Sequence, residues 1–96
     1  MITEDDLILA ENAKEKSTEK IGYLLSTISG KKIISSISID DIFEKIEKEY
    51  CNYLLIFCDD EKKALNKIKI EKIKKKVNKN FIIYIATKNE IKEYKI

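Results

Sequence analysis

Asp59 and Asp60 follow directly on the apolar run Tyr53 to Cys58, and a position just beyond a buried strand is where α/β sheets hold their ligands. A carboxylate there can accept a phosphoryl group or help to hold a divalent cation. Glu11, beyond Leu7 to Ala10, and Thr87 and Lys88, beyond Phe81 to Ala86, would stand at the same end of such a sheet. Together they outline a phosphoacceptor centre with Asp59 as the acceptor. That chemistry also asks for a pair of acids after the first strand and a lysine after a fifth, and neither is evident. The plainer reading is that Asp59 or Asp60 caps the helix that follows, and it is favoured because such residues are preferred helix starters.

Other chemistries are bounded by composition. The 96 residues include no histidine, so the usual near-neutral general base and the commonest metal ligand are missing. Hydrolase triads and most zinc sites are excluded with it. Cys51 and Cys58 are too far apart for a C-x-x-C motif, and one pair is a thin framework for a secreted domain, so both read as reduced thiols. Loops that cradle phosphate need glycine where the backbone meets the ligand, whereas Gly22 falls within an expected helix and Gly30 just after one. No catalytic, cofactor or metal site is expected. The 19 basic residues, all lysine, against 17 acidic ones leave a net charge of only +2, which gives little counterion-release drive towards nucleic acid.

The elements that must position these residues are four short apolar runs alternating with three helical patterns, the mark of a parallel sheet covered by helices. Leu7 to Ala10 is the first run. It passes through Asn12, an N-cap with Glu15 three residues on, into a helix whose Ile21, Leu24, Leu25 and Ile28 share one face. Gly30 is placed to end it. Lys32 to Ile37 is a second, weaker strand, after which Ser38 and Asp41 form a capping signal ahead of Ile39, Ile42, Phe43, Ile46 and Tyr50. Tyr53 to Cys58 is unbroken apolar sequence, suited to a central strand buried on both faces. From Asp59 and Asp60 a long lysine-rich helix is expected through about Asn78, with Lys74, Lys75, Lys76 and Lys79 near its end. Phe81 to Ala86 is the last clear strand, and Thr87 to Ile96 reads as a polar tail.

The result is β-α-β-α-β-α-β. Right-handed crossovers then make an α/β, three-layer, doubly wound sandwich on a four-stranded parallel sheet, in an expected strand order 2-1-3-4. Residues 1–88 form one domain and 89–96 a short C-terminal tail. Glu11, Asn12, Ser35, Ser36, Asp59, Asp60, Thr87 and Lys88 fall at the carboxyl ends of the strands. Met1 to Glu11 carries acids where a signal peptide needs basic residues, and no apolar run approaches the ~20 residues that cross a bilayer. The expectation is a cytosolic chain, peripheral to membranes at most.

Three segments resemble the F-subunits of the eukaryotic vacuolar-type (V-type) rotary proton ATPases. Gly22-Tyr23-Leu24-Leu25, followed by Ile28, is similar to the family's G-F-L-L in the helix after its first strand. Ser38-Ile39-Asp40-Asp41-Ile42, leading to Tyr53 to Phe57, resembles the opening of its acidic second helix and the strand beyond. Tyr84-Ile85-Ala86-Thr87-Lys88 is similar to its E-I-P-S-K after the fourth strand, with Tyr94 near the place of a family tyrosine. Ala86 stands where the family has proline, and Glu11-Asn12 where it has a glycine-aspartate turn.

The resemblance implies a Rossmann-like fold and a non-catalytic role in the central stalk, or rotor. A protein of this family clamps the central shaft, formed by the D-subunit, within the head of catalytic and regulatory subunits. It helps to couple ATP hydrolysis to proton transport on the cytosolic face of vacuolar or endosomal membranes. It would bind no nucleic acid and insert into no bilayer. The docking face expected on this reading is Tyr84, Thr87, Lys88, Tyr94 and Ile96. The alternatives are a receiver-like phosphoacceptor with Asp59 as acceptor, and a small α/β protein-binding adaptor.

Overall fold

Thr3 and Asp6 close a reciprocal capping box, in which the Thr3 hydroxyl accepts from the Asp6 N–H and the Asp6 carboxylate accepts from the Thr3 N–H, both at 3.1 Å. From this cap the first element of the computed structural model, α1 (Glu4–Lys16), runs through Leu7 to Ala10. The structure describes residues 2–78 and 80–95, so Lys79 and Ile96 lie outside the described residues. The expected first strand is therefore a helix, and the expected helix behind it is β1 (Ile21–Ser26). A short apolar run fits either element until burial decides. Here all six residues of β1 are buried, which a helical stripe of Ile21, Leu24, Leu25 and Ile28 would not require.

Gly30 meets the demand for a left-handed backbone, at φ 89°, in the turn from β1 to β2 (Lys32–Ser36) rather than at a helix end. Ser38 then caps α2 (Ile39–Lys48) by accepting from the Asp41 N–H, as the S-x-x-D spacing predicts. β3 (Tyr53–Cys58) is buried along its whole length. Asp60, not Asp59, is the N-cap of α3 (Glu61–Ile68), accepting from the Lys62 and Lys63 N–H groups.

The single long helix expected as far as Asn78 is broken at Lys69, which is left-handed at φ 50°, and resumes as α4 (Ile70–Lys74). Ile68 and Ile73 are both fully buried, yet five residues turn a continuous helix by about 140° beyond a full revolution. The break re-aims the chain so that both reach the same core. β4 (Ile82–Ala86) follows, and residues 91–95, expected within the polar tail, add a fifth strand, β5 (Ile91–Lys95).

The strand order is β2-β1-β3-β4-β5. Only β3 and β4 are parallel; β1 runs antiparallel to β2 and β3, and β5 antiparallel to β4. The four-stranded, all-parallel, doubly wound sheet is thus corrected to a five-stranded mixed sheet. The chain is α/β, with parallel crossovers β2-α2-β3, which passes over β1, and β3-α3-α4-β4. Helices cover both faces. Ile42, Ile46, Ala64, Ile68 and Ile73 pack on Tyr23, Leu25, Leu54, Ile56 and Ile83, while Ala10 of α1 joins Leu24, Leu55, Phe57 and Tyr84 on the other side. Among the described residues no helix is long and apolar enough to cross a membrane.

Candidate functional site

Because β2, β3 and β4 run in the same direction, their carboxyl ends gather at one end of the sheet. α1 leaves part of that end uncovered. Leu7 and Glu11 of α1, Phe57 of β3 and the turn Thr87–Glu90 with Ile91 line a groove of about 530 Å³ there. The turn is held by the Thr87 N–H donating to the Glu90 carbonyl at 2.9 Å and the Asn89 N–H donating to the Thr87 hydroxyl at 3.3 Å. Leu7, Phe57 and Ile91 supply apolar surface, and Glu11, Lys88 and Glu90 supply charge of both signs. Such a lining suits a side chain of another protein better than a small charged substrate.

Next to the groove, Lys14 of α1 is buried, its side chain only 3% exposed. Its ammonium lies 2.8 Å from Asp59 Oδ1 and 3.3 Å from Glu15 Oε1, and 5.7 Å from the centre of the Phe57 ring. The hydrogen bond to Asp59 raises the Lys14 pKa against the opposing effect of burial. The same bond holds the Asp59 carboxyl below its ordinary value, with Lys88 and Lys20 adding weaker attraction. Asp59 is an ionised partner of a buried cation. It lines a separate hollow with Thr18, Glu19, Lys20, Ile21, Asp60 and Lys63, whereas Thr87 and Glu11 line the groove. The three members of the expected phosphoacceptor centre are thus divided between two surfaces. No cluster of three or more cysteine, aspartate or glutamate ligands occurs among the described residues.

The two thiols are equally committed to structure. Burial pushes both Cys51 and Cys58 up to about 11, so neither is a thiolate nucleophile at neutral pH. Cys58 Sγ also contacts the Ala86 carbonyl at 3.7 Å across the parallel pair.

The described members of the expected docking set, Tyr84, Thr87, Lys88 and Tyr94, lie on different surfaces. Thr87 and Lys88 line the groove. Tyr84 lies on the α1 side of the sheet, nearly buried, its ring edge-on to Tyr53 at 5.7 Å. Tyr94 packs on the opposite side, where its hydroxyl donates to Glu61 Oε2 at 2.6 Å and fastens β5 to α3. The alternation of a strand separates them: Tyr94 pairs with Ile83 and Glu93 with Tyr84. Ser36 caps locally, accepting from the Ser38 N–H at 2.9 Å, and Asn12 and Ser35 line a shallow hollow with Leu9 and Ile37.

Composition and spacing gave no hint of Lys14. The signal available was a lysine three residues after Glu11, a charge spacing that ordinarily marks a solvated face. Its role rests on Asp59, 45 positions further along the chain. The pair makes a testable asymmetry. Lys14→Met leaves Asp59 free to hydrate and should change the melting temperature little, while Asp59→Asn takes the nearer of two anionic partners from a buried ammonium, leaving only Glu15, and should lower it more. Equal effects in thermal unfolding would show that Lys14 is not held as a buried cation.

Comparison with protein-family models, with curated proteins and with solved structures finds no match to this chain.

Proposed function

We propose that this chain is a non-catalytic protein-binding subunit that docks through the groove between α1 and the turn Thr87–Glu90. The observation that carries the reading is the groove itself, an open, partly apolar cleft at the carboxyl ends of the one parallel strand pair. Around it the reactive groups are engaged in structure: Asp59 with Lys14, Asp60 as a helix cap, and both thiols buried. A protein partner inserting an apolar side chain between Leu7, Phe57 and Ile91 would gain its affinity from burial, with Lys88 and Glu11 setting orientation.

The sequence resemblance supplies a specific form of this reading: a central-stalk component of a V-type ATPase with the rotary shaft as partner. Ser38 to Ile42 opening α2 and Tyr84 to Lys88 ending β4 favour it, since both lie where the family's segments would. Gly22 to Leu25 does not, because it is a central strand rather than a helix.

Affinity purification of the tagged native protein from gently solubilised membranes, with mass spectrometry, tests both levels. Recovery of shaft, catalytic and regulatory subunits supports the rotary form. A different stable partner set, lost on Lys88→Glu, supports docking through the groove and removes that form. Recovery of the chain alone, or a partner indifferent to Lys88→Glu, would overturn the groove as the docking site.

A further inference from the structure

The two edges of the sheet are built differently. β5, at one edge, carries Lys92, Glu93 and Lys95 in five residues, the charge pattern by which natural sheets discourage further pairing. β2, at the other edge, reads Lys32-Ile33-Ile34-Ser35-Ser36, followed by Ile37. Its one charge, Lys32, is turned inward to the buried Asp6. The outer edge from Ile33 to Ile37 is therefore uncharged, Ser35 is exposed, and Ile37 is 51% exposed. Among the described residues no strand lies beyond β2. An uncharged edge offers a row of backbone N–H and C=O groups, and the group that satisfies them is another β-strand.

We propose that β2 pairs antiparallel with β2 of a second copy of this chain, about a two-fold axis at Ser35, to make one continuous ten-stranded sheet. A two-fold contact must be self-complementary, and this edge is. With Ser35 opposite its own copy, Ile34 faces Ser36 and Ile33 faces the exposed Ile37, so no like charges oppose each other.

The layers beside the edge agree. α2 turns Asp41 towards β2, where Ser36 Oγ bonds its carboxylate at 3.0 Å. Lys45 and Lys48 follow at helical spacing on the same side. The two-fold axis runs α2 antiparallel to its copy and carries the acidic Asp41 end of one towards Lys45 of the other, Lys48 being paired with Glu44 of its own helix at 3.4 Å. A stable contact buries roughly 1,200 Å² or more in total, so the strand pair must bring flanking helices with it. α1 lies on the other side of the same edge through Leu9, Asn12 and Lys16.

Sedimentation equilibrium of the full chain across a concentration series reads the result. Ser35 is exposed, so Ser35→Lys and Ser35→Glu should each fold as the parent does, checked by circular dichroism. Each should weaken association by about tenfold or more, because it sets like charges face to face on the axis. Mixing the two variants should restore the dimer, since the charges are then opposite. Ile37→Lys, at the rim of the pair, should also weaken it. A monomer at every concentration overturns the proposal. So does a dimer indifferent to all three substitutions, or one lost in both Ser35 variants and not restored by mixing them.

Discussion

Gly22→Ala is expected to destabilise the protein by about 3 kcal/mol or more, a large part of the stability available to a chain of this size. A methyl group at Gly22 would fall on the Ala10 carbonyl oxygen and the Lys14 nitrogen, and within 3.0 Å of the Ala13 carbonyl carbon. These are backbone atoms of α1, so no side chain can rotate away. α1 meets β1 through three small residues, Ala10, Ala13 and Gly22, and their size sets how closely helix and strand approach. Relief requires moving α1 off the sheet, which would also loosen Lys14 from Asp59. Gly30→Ala provides the contrast. Nothing lies within 4 Å of its added methyl, and only its φ of 89° opposes the change, so a cost of ~1–2 kcal/mol is expected. Urea unfolding of the two variants checks the order; a Gly22→Ala protein as stable as the parent would mean that α1 does not lie on β1 as described.

Asp6→Ala should cost about 3 kcal/mol, combining the loss of the side-chain half of the capping box with a broken buried ion pair. Asp6 is fully buried at the start of α1. One oxygen accepts from the Tyr53 hydroxyl at 2.8 Å and from the Thr3 N–H at 3.1 Å. The other meets the Lys32 ammonium in an ion pair. That ammonium must satisfy it, because it has no further hydrogen-bond partner among the described residues. One carboxylate thus ties α1 to β2 and β3.

The same group makes a pH prediction. Burial raises the Asp6 pKa, but the bonds from Lys32, Thr3 and Tyr53 together outweigh it, and the folded value lies below the ordinary 3.8. A depressed carboxylate contributes stability that is present above its unfolded pKa and lost as pH falls through the folded one. The native protein should therefore lose stability on acidification below about pH 4, and Asp6→Asn should lose less over the same range. Asp59, Glu15 and Glu61 are also depressed, each first by its hydrogen bond from Lys14 or Tyr94. They remain in both proteins, so the difference isolates Asp6. Parallel acid arms in thermal unfolding from neutral pH to pH 2 would show that the carboxylate is not ionised in the fold.

The region from Lys32 to Ala86 was largely legible because its signals are local. Ser38 with Asp41, the amphipathic spacing of Ile39, Ile42 and Ile46, the unbroken run Tyr53 to Cys58 and the Asp60 cap all act within a few residues. The N-terminal third was not. Leu7 to Ala10 is too short to choose between helix and strand by periodicity, and Ile21, Leu24, Leu25 and Ile28 fit a helical stripe although the run is a buried strand. Thr3 and Asp6 carried a capping signal of the same form as Ser38 and Asp41, but an alternating strand-helix pattern along the chain gave it no place. Taking the first run as a strand then made the second a helix and the sheet parallel.

By itself the sequence determined the α/β class, the parallel crossover from β3 to β4, the cap at Ser38 and the loci of Asp59, Thr87 and Lys88 beyond their strands. Only the tertiary structure decided that the first element is a helix, that β1 is antiparallel, and that residues 91–95 complete the sheet. The physical reason is distance along the chain. Asp6 finds Tyr53 at a separation of 47 residues, and Tyr94 finds Glu61 at 33. Lys14 and Asp59 likewise become a buried pair only when α1 lies across β1 and β3, an arrangement that Gly22 permits and no local pattern expresses.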